Sequence, residues 1–285
     1  MQSRSLVAPS RPSRRLSPGV RLEHLAPGGR DGPNRDVLAL LPGGQTWSDI
    51  VFLGSEEDDF QVTLPDIRLP ANQYWPLHWH DCWIGILVLE GSCLVGDWWM
   101  APGDVLVTAA ALEYGPLLIG PEGCRMFEIF ANHALHAGGY APEYRDHPTL
   151  KGTASRFMER SALNRRNDGR QTLPLDGVEG VVKGRLSPGA HWDLGEPGDP
   201  DRAVMKDTRL SAGERLAAHT YDDWHVLIVL GGELRIAGER MVRDAMLVVE
   251  PGGQVPETVA GDAGVALFEL SRTARGMARR ALASS

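Results

Sequence analysis

The sequence predicts an all-β protein built from two tandem antiparallel barrels, and three observations lead there. The chain repeats itself: shifted by 141 residues, positions 53–128 fall on 194–269 without a gap, and 20 of the 76 pairs are identical. A fixed register over that length is the mark of a duplicated unit. Inside each copy the apolar residues come in runs of five to seven, bounded by Gly, Pro and Asp, the spacing of short strands. No long stretch with helical period competes with them, so two small barrels, each with its own core, is the architecture these patterns specify.

The elements follow in order. Residues 1–36 are rich in Pro, Gly and Arg and are expected to be an irregular or disordered tail. The first barrel is expected over 37–131, with strands at Ile84–Glu90, Asp104–Thr108 and Arg125–Phe130. A polar linker over 132–177 carries one short helix around Ser155–Asn164. The second barrel is expected over 178–271, with strands at His225–Leu230, Ala245–Val249 and Val265–Leu270. The last residues, 272–285, read as a tail or short helix presenting Arg275, Arg279 and Arg280 as an exposed basic face.

Composition bounds the function. A length of 285 residues suffices for two domains, and the net charge of −8 argues against general nucleic-acid binding. The three cysteines, Cys82, Cys93 and Cys124, show no CxxC spacing, so zinc-ribbon and disulfide-scaffold readings fall away and a reducing cytoplasm fits best. No stretch approaches the ~18 apolar residues of a membrane span. The N-terminus lacks the apolar segment of a secretory signal.

The repeated residues around His78 and His219 resemble the cupin motifs, and the duplication resembles a bicupin. The family pattern G-x5-H-x-H-x(3,4)-E-x6-G is met in the first copy by Asn72, His78, His80 and Gly91, with Ile84 at the glutamate position. In the second motif Tyr114 stands at the place of the third histidine. In the second copy Gly213, His219 and Gly232 match, Tyr221 replaces the second histidine, His225 takes the glutamate position and Val255 stands at the third histidine. The resemblance implies a jelly-roll barrel whose histidines converge on a divalent metal. Both copies are degenerate against that pattern.

Read physically, the first copy is the better site. Residues two apart on a strand face the same side, so His78 and His80 aim two imidazoles into one space. Neutral imidazole suits Fe, Zn, Mn or Ni. Tyr114 is a third oxygen donor or an acid–base group, and Glu128 is either a general base or half of a structural ion pair. Glu128 and Glu269 are shared by the copies, as are Arg68 and Arg209, which makes these arginines the expected partners. His219, Tyr221 and His225 form a second candidate site, for a metal or for metal-free acid–base chemistry. Trp98 and Trp99 have no aromatic counterparts in the second copy and are expected to line a substrate pocket.

These residues suggest a metal-dependent enzyme for a small oxygenated, partly apolar molecule, working in the N-terminal barrel. Within the family the resemblance favours dioxygenase-type chemistry over lyase or isomerase. A non-catalytic ligand-binding bicupin and a metal-free isomerase or cyclase in the C-terminal barrel are the alternatives. Sheet edges leave room for a homodimer. Neither nucleic acid nor membrane is an expected partner.

Overall fold

The computed structural model describes residues 13–25, 47–55, 60–75, 78–80, 82–134, 155–157 and 173–282. The chain divides into two units, one of residues 1–9 and 28–186, the other of residues 10–27 and 187–285. Among the described residues the structure is nearly all strand, and no helix is long and apolar enough to cross a membrane.

The first described elements form a hairpin, β1 (Arg14–Ser17) and β2 (Val20–His24). The first unit follows with β3 (Trp47–Leu53), β4 (Phe60–Leu69), β5 (Tyr74–Trp75), β6 (His78–His80), β7 (Ile84–Val95), β8 (Trp98–Met100), β9 (Asp104–Thr108), β10 (Leu117–Ala134), β11 (Ser155–Phe157) and β12 (Val181–Arg185). Its main sheet runs β12-β9-β7-β10-β4-β3, all antiparallel. The second unit continues with β13 (His191–Leu194), β14 (Ala203–Leu210), β15 (Arg215–Leu216), β16 (His219–Thr220), β17 (His225–Ile236), β18 (Glu239–Met241), β19 (Ala245–Val249), β20 (Gln254–Val255), β21 (Thr258–Ser271) and β22 (Arg280–Ala281). A 3-10 turn at Arg275–Met277 precedes β22. The second main sheet runs β1-β2-β19-β17-β21-β14-β13. Apart from the extra β1, this is the order of the first, and β7, β8 and β9 recur as β17, β18 and β19 at the spacing of 141 residues.

Two shared glycine pairs show why parts of the repeat are invariant between the copies. Gly91 and Gly232 have φ of +68° and +77°, and a Cβ on either would come within 2.0 Å and 2.2 Å of the carbonyl oxygens of Gly123 and Gly264. Only glycine permits that approach where β7 crosses β10 and β17 crosses β21. Asn72, the residue read at a glycine position, has φ +59°, and its counterpart Gly213 has φ +71°.

The structure departs from the sequence reading at three segments. Residues 14–24 are not irregular: Val20, Leu22 and Leu25 are buried, and β2 pairs with β19 from Val20↔Val249 to His24↔Ala245. The alternation V-R-L-E-H is too short to stand out among Pro, Gly and Arg. Correspondingly, β12, read as the start of the second copy, pairs with β9 of the first unit from Val181↔Thr108 to Arg185↔Asp104. These edge strands explain why all five residues of β9 and of β19 are buried. Third, Ser155–Phe157 form a strand and not the start of a helix, pairing with β6 as Ser155↔His80 and Phe157↔His78. Residues 158–164 of that expected helix lie outside the described residues.

Each unit holds one apolar core. The first is built around Ile84, Ile86, Val88, Leu106, Met126 and Tyr114, the second around Leu227, Val229, Leu247, Val249, Leu267 and Tyr221. No disulfide joins Cys82, Cys93 or Cys124, and all three are buried. Burial pushes the Cys124 thiol up to about 12 and raises Cys93 as well, so these two thiols are packing groups.

Candidate functional site

In the first unit β6, β10 and the segment before β10 bring three polar groups into the core. His80 is 2% exposed, Tyr114 is fully buried, and Glu128 on β10 is partly buried. His80 Nε2 lies 2.9 Å from the Tyr114 hydroxyl. Tyr114 donates to Glu128 Oε1 at 3.2 Å, and His80 Nε2 is 3.5 Å from that same oxygen. Phe130 stands edge-on to His80 with ring centroids 5.0 Å apart. His78 lies on β6, but its side chain is outside the described residues.

The electrostatics follow from burial. Burial raises Glu128 from 4.5 to about 7, and the hydrogen bond from Tyr114 only partly offsets it. Burial, with the neighbouring Glu128 charge, pushes Tyr114 well above the ordinary phenol value. Glu128 is thus poised near neutrality beside a phenol that stays protonated.

His80 Nε2, Tyr114 Oη and Glu128 Oε1 are joined by hydrogen bonds, and a divalent ion here would take the place of the protons on His80 and Tyr114. Atoms bound ~2.0–2.2 Å from a common ion stand roughly 3–3.5 Å apart, and the triangle of His80 Nε2, Tyr114 Oη and Glu128 Oε1 has edges of 2.9, 3.2 and 3.5 Å. Among the described residues no three His, Cys, Asp or Glu side chains come together as a metal set. A set in this barrel therefore draws on the Tyr114 oxygen or on His78.

The second unit assembles its candidate residues differently. Tyr221 stacks on His225 with centroids 3.8 Å apart and 7° between planes, and His219 stands edge-on to Tyr221 at 5.0 Å. His219 Nδ1 donates to the Ala217 carbonyl at 2.8 Å, which leaves Nε2 bare. His225 Nε2 donates to Glu269 Oε2 at 3.0 Å. Arg279 completes the group, with Nε on the Tyr221 hydroxyl at 3.1 Å and Nη2 on Glu269 Oε1 at 2.6 Å. Burial lowers both His219 and His225, so both are neutral imidazoles. Burial opposes the charge of Glu269. The hydrogen bond from His225 and the Arg279 guanidinium outweigh it and hold the carboxyl below its usual range.

Three sequence readings need correction. Glu128 and Glu269 do not pair with Arg68 and Arg209: Arg68 approaches Glu90 at 4.0 Å and Arg209 binds Asp207 at 2.7 Å. Arg279 belongs to no exposed basic face; it reaches into the barrel because a buried carboxylate needs a cation. A glutamate in an apolar strand demands a cation, but nothing local in the sequence says which arginine supplies it. Trp98 packs on the core with Lys183 Nζ 5.3 Å over its ring, and Trp99 is 52% exposed. These contacts make Trp98 a packing residue and Trp99 a surface residue of the β7–β8 hairpin.

The same fold occurs in solved structures of low sequence identity. A candidate dioxygenase from Nostoc punctiforme is 11% identical, with a TM-score of 0.55 over 85% of this chain and 84% of its own. Protein YlbA from E. coli is 11% identical, with a TM-score of 0.50 over 95% and 97%. A point mutant of the salicylate 1,2-dioxygenase of Pseudoaminobacter salicylatoxidans is 16% identical, with a TM-score of 0.50 over 93% and 86%. The chain has the cupin fold, twice. No protein-family model and no curated protein sequence matches it. The first barrel brings His80, Tyr114 and Glu128 together, and the second holds an arginine-bound carboxylate.

Proposed function

We propose that the bicupin is a metal-dependent enzyme for a small oxygenated, partly apolar molecule, with its working centre in the first barrel and dioxygenase-type chemistry. The observation that carries this reading is the convergence of His80, Tyr114 and Glu128 on one point, with the carboxyl poised at about 7. The likeness to two dioxygenase folds supports the choice of chemistry at the level of fold.

His78 and His80 would hold the ion, with the Tyr114 oxygen completing the set. A bound divalent ion supplies Lewis-acid or O2-activating chemistry. The chain's own residues manage protons. Glu128, titrating near neutrality, is placed to take up and give back a proton, with the Tyr114 hydroxyl hydrogen-bonded to its Oε1. Phe130 and the surrounding aliphatic core keep bulk water from these groups and strengthen the hydrogen bonds among them.

The test is metal content of untagged protein, wild type beside H78A/H80A, followed by oxygen uptake with small aromatic and enolic acids. Near-stoichiometric metal that disappears in the double variant supports the reading. A wild type that remains empty after incubation with Fe2+, Zn2+, Mn2+ and Ni2+ overturns it. Metal binding without turnover points to a ligand-binding bicupin.

A further inference from the structure

The second barrel contains a recognition set for a guanidinium, and the chain fills it with its own side chain. After β21 the chain makes the 3-10 turn and returns as β22, which pairs with β16 as His219↔Ala281 and Thr220↔Arg280. The return is anchored at several points. Asp223 accepts from Trp224 N, Arg272 Nε and Thr273 Oγ1. Arg280 pairs with Asp222. A Cβ at Gly276 would meet the Asp223 Cβ at 2.7 Å, so the turn packs on Asp223 with no room for a side chain.

This anchoring delivers Arg279 to a preset acceptor pair. The guanidinium uses Nη2 on Glu269 Oε1 and Nε on Tyr221, while His225 holds the other carboxylate oxygen and stacks against Tyr221. Planar donors in a fork match such an arrangement, which an ammonium cannot reproduce. The residues do not fit a metal ion equally well. Both oxygens of Glu269 are taken, and the His225 nitrogen facing them carries its proton. His219 Nε2 and His225 Nδ1 are buried without a partner, but no three metal-type side chains come together here among the described residues.

We propose that the second barrel is a guanidinium-binding site occupied in cis by Arg279, and that this arginine, not a metal ion, is its resident cation. The site locks the C-terminal return over His219. Its ligand class is a guanidino or amidino compound, which enters only when the arginine side chain is removed. The inference is independent of the chemistry proposed for the first barrel.

The experiment uses the full chain carrying R279A. Its Tm is expected to fall by about 5 °C or more, and millimolar methylguanidinium is expected to restore most of the loss, as a ligand that binds only the folded state does. Methylammonium at the same concentration should restore little, and E269Q/R279A should respond to neither. If R279A is recovered only unfolded, refolding yield in the two amines carries the same comparison. In parallel, H78A/H80A protein, whose second barrel is intact, should hold no metal after incubation with Fe2+, Zn2+, Mn2+ or Ni2+. Equal rescue by both amines, an unchanged Tm in R279A, or about one ion per chain retained in H78A/H80A and lost on adding H219A would each overturn the proposal.

Discussion

Glu128 and Glu269 occupy equivalent positions on β10 and β21, and each accepts a hydrogen bond from a buried tyrosine. Yet burial carries Glu128 up to about 7, while Glu269 is held below the usual carboxylate range. The difference lies in the His225 that donates to Glu269 where the first copy has Ile84, and in what the chain brings to each barrel after its last strand. In the second unit β22 returns to β16 and delivers Arg279. In the first, β11 returns to β6, where Ser155 pairs with His80 at the register position corresponding to Arg279. Among the described residues no arginine or lysine reaches Glu128. One fold thus yields a carboxyl free to exchange protons and another fixed in a charge pair, through His225, which stands where the first copy has Ile84, and Arg279, which lies outside the repeat.

The comparison can be broken most severely at Glu269. Replacing it with leucine leaves Arg279 in the barrel without its carboxylate, and the loss of one member of such a buried pair costs about 3–5 kcal/mol, read as a fall in the Tm of the second unit by calorimetry. Because the Glu269 carboxyl is held below its ordinary value of 4.5, its contribution is present above that pH and is lost as pH falls below it. The variant's deficit should therefore shrink in acid; a deficit that grows there would contradict the assignment.

Glu128 should behave in the opposite sense. A carboxyl raised from 4.5 to about 7 favours the folded state at low pH and weakens it as pH rises through that window. With metal chelated, E128Q is expected to gain up to about 3 kcal/mol over wild type at pH 8 and little at pH 5. Equal gains at both pH values would mean that Glu128 is not the titrating group. Chelation itself sharpens the contrast between the barrels. EDTA should lower the melting of the first unit by the linkage of a bound ion, about 2.7 kcal/mol at a hundredfold excess over Kd, and leave the second unit unchanged. The smallest effect is expected at Trp99, 52% exposed. W99A should move stability by less than about 0.5 kcal/mol and leave metal content unaltered; loss of metal in W99A would return that residue to the site.

Much of this was legible in the chain. The 141-residue register located the repeated strands, because cross-strand glycines such as Gly91 and Gly123 must coincide in both copies where backbones nearly touch. The pairing of His80 with Tyr114 was foreshadowed by motif position. Edge strands were not legible. β2 and β12 each belong to the unit opposite to that suggested by their neighbours in sequence, and a five-residue strand has too little pattern to announce its partner. Trp98 and Trp99 misled because aromatic clustering records apolarity and not direction, and the hairpin turns one ring onto the core and the other outward.

The sequence by itself determined the two-barrel cupin fold and the residue types in each barrel, because strand period, glycine positions and motif spacing are local or repeated properties. Only the tertiary structure decided the protonation state of the shared glutamate. That state depends on which groups stand within a few ångströms of a buried carboxyl: His225 donates to Glu269 from a facing strand, and Arg279 arrives from beyond the repeat, just ahead of a returning strand.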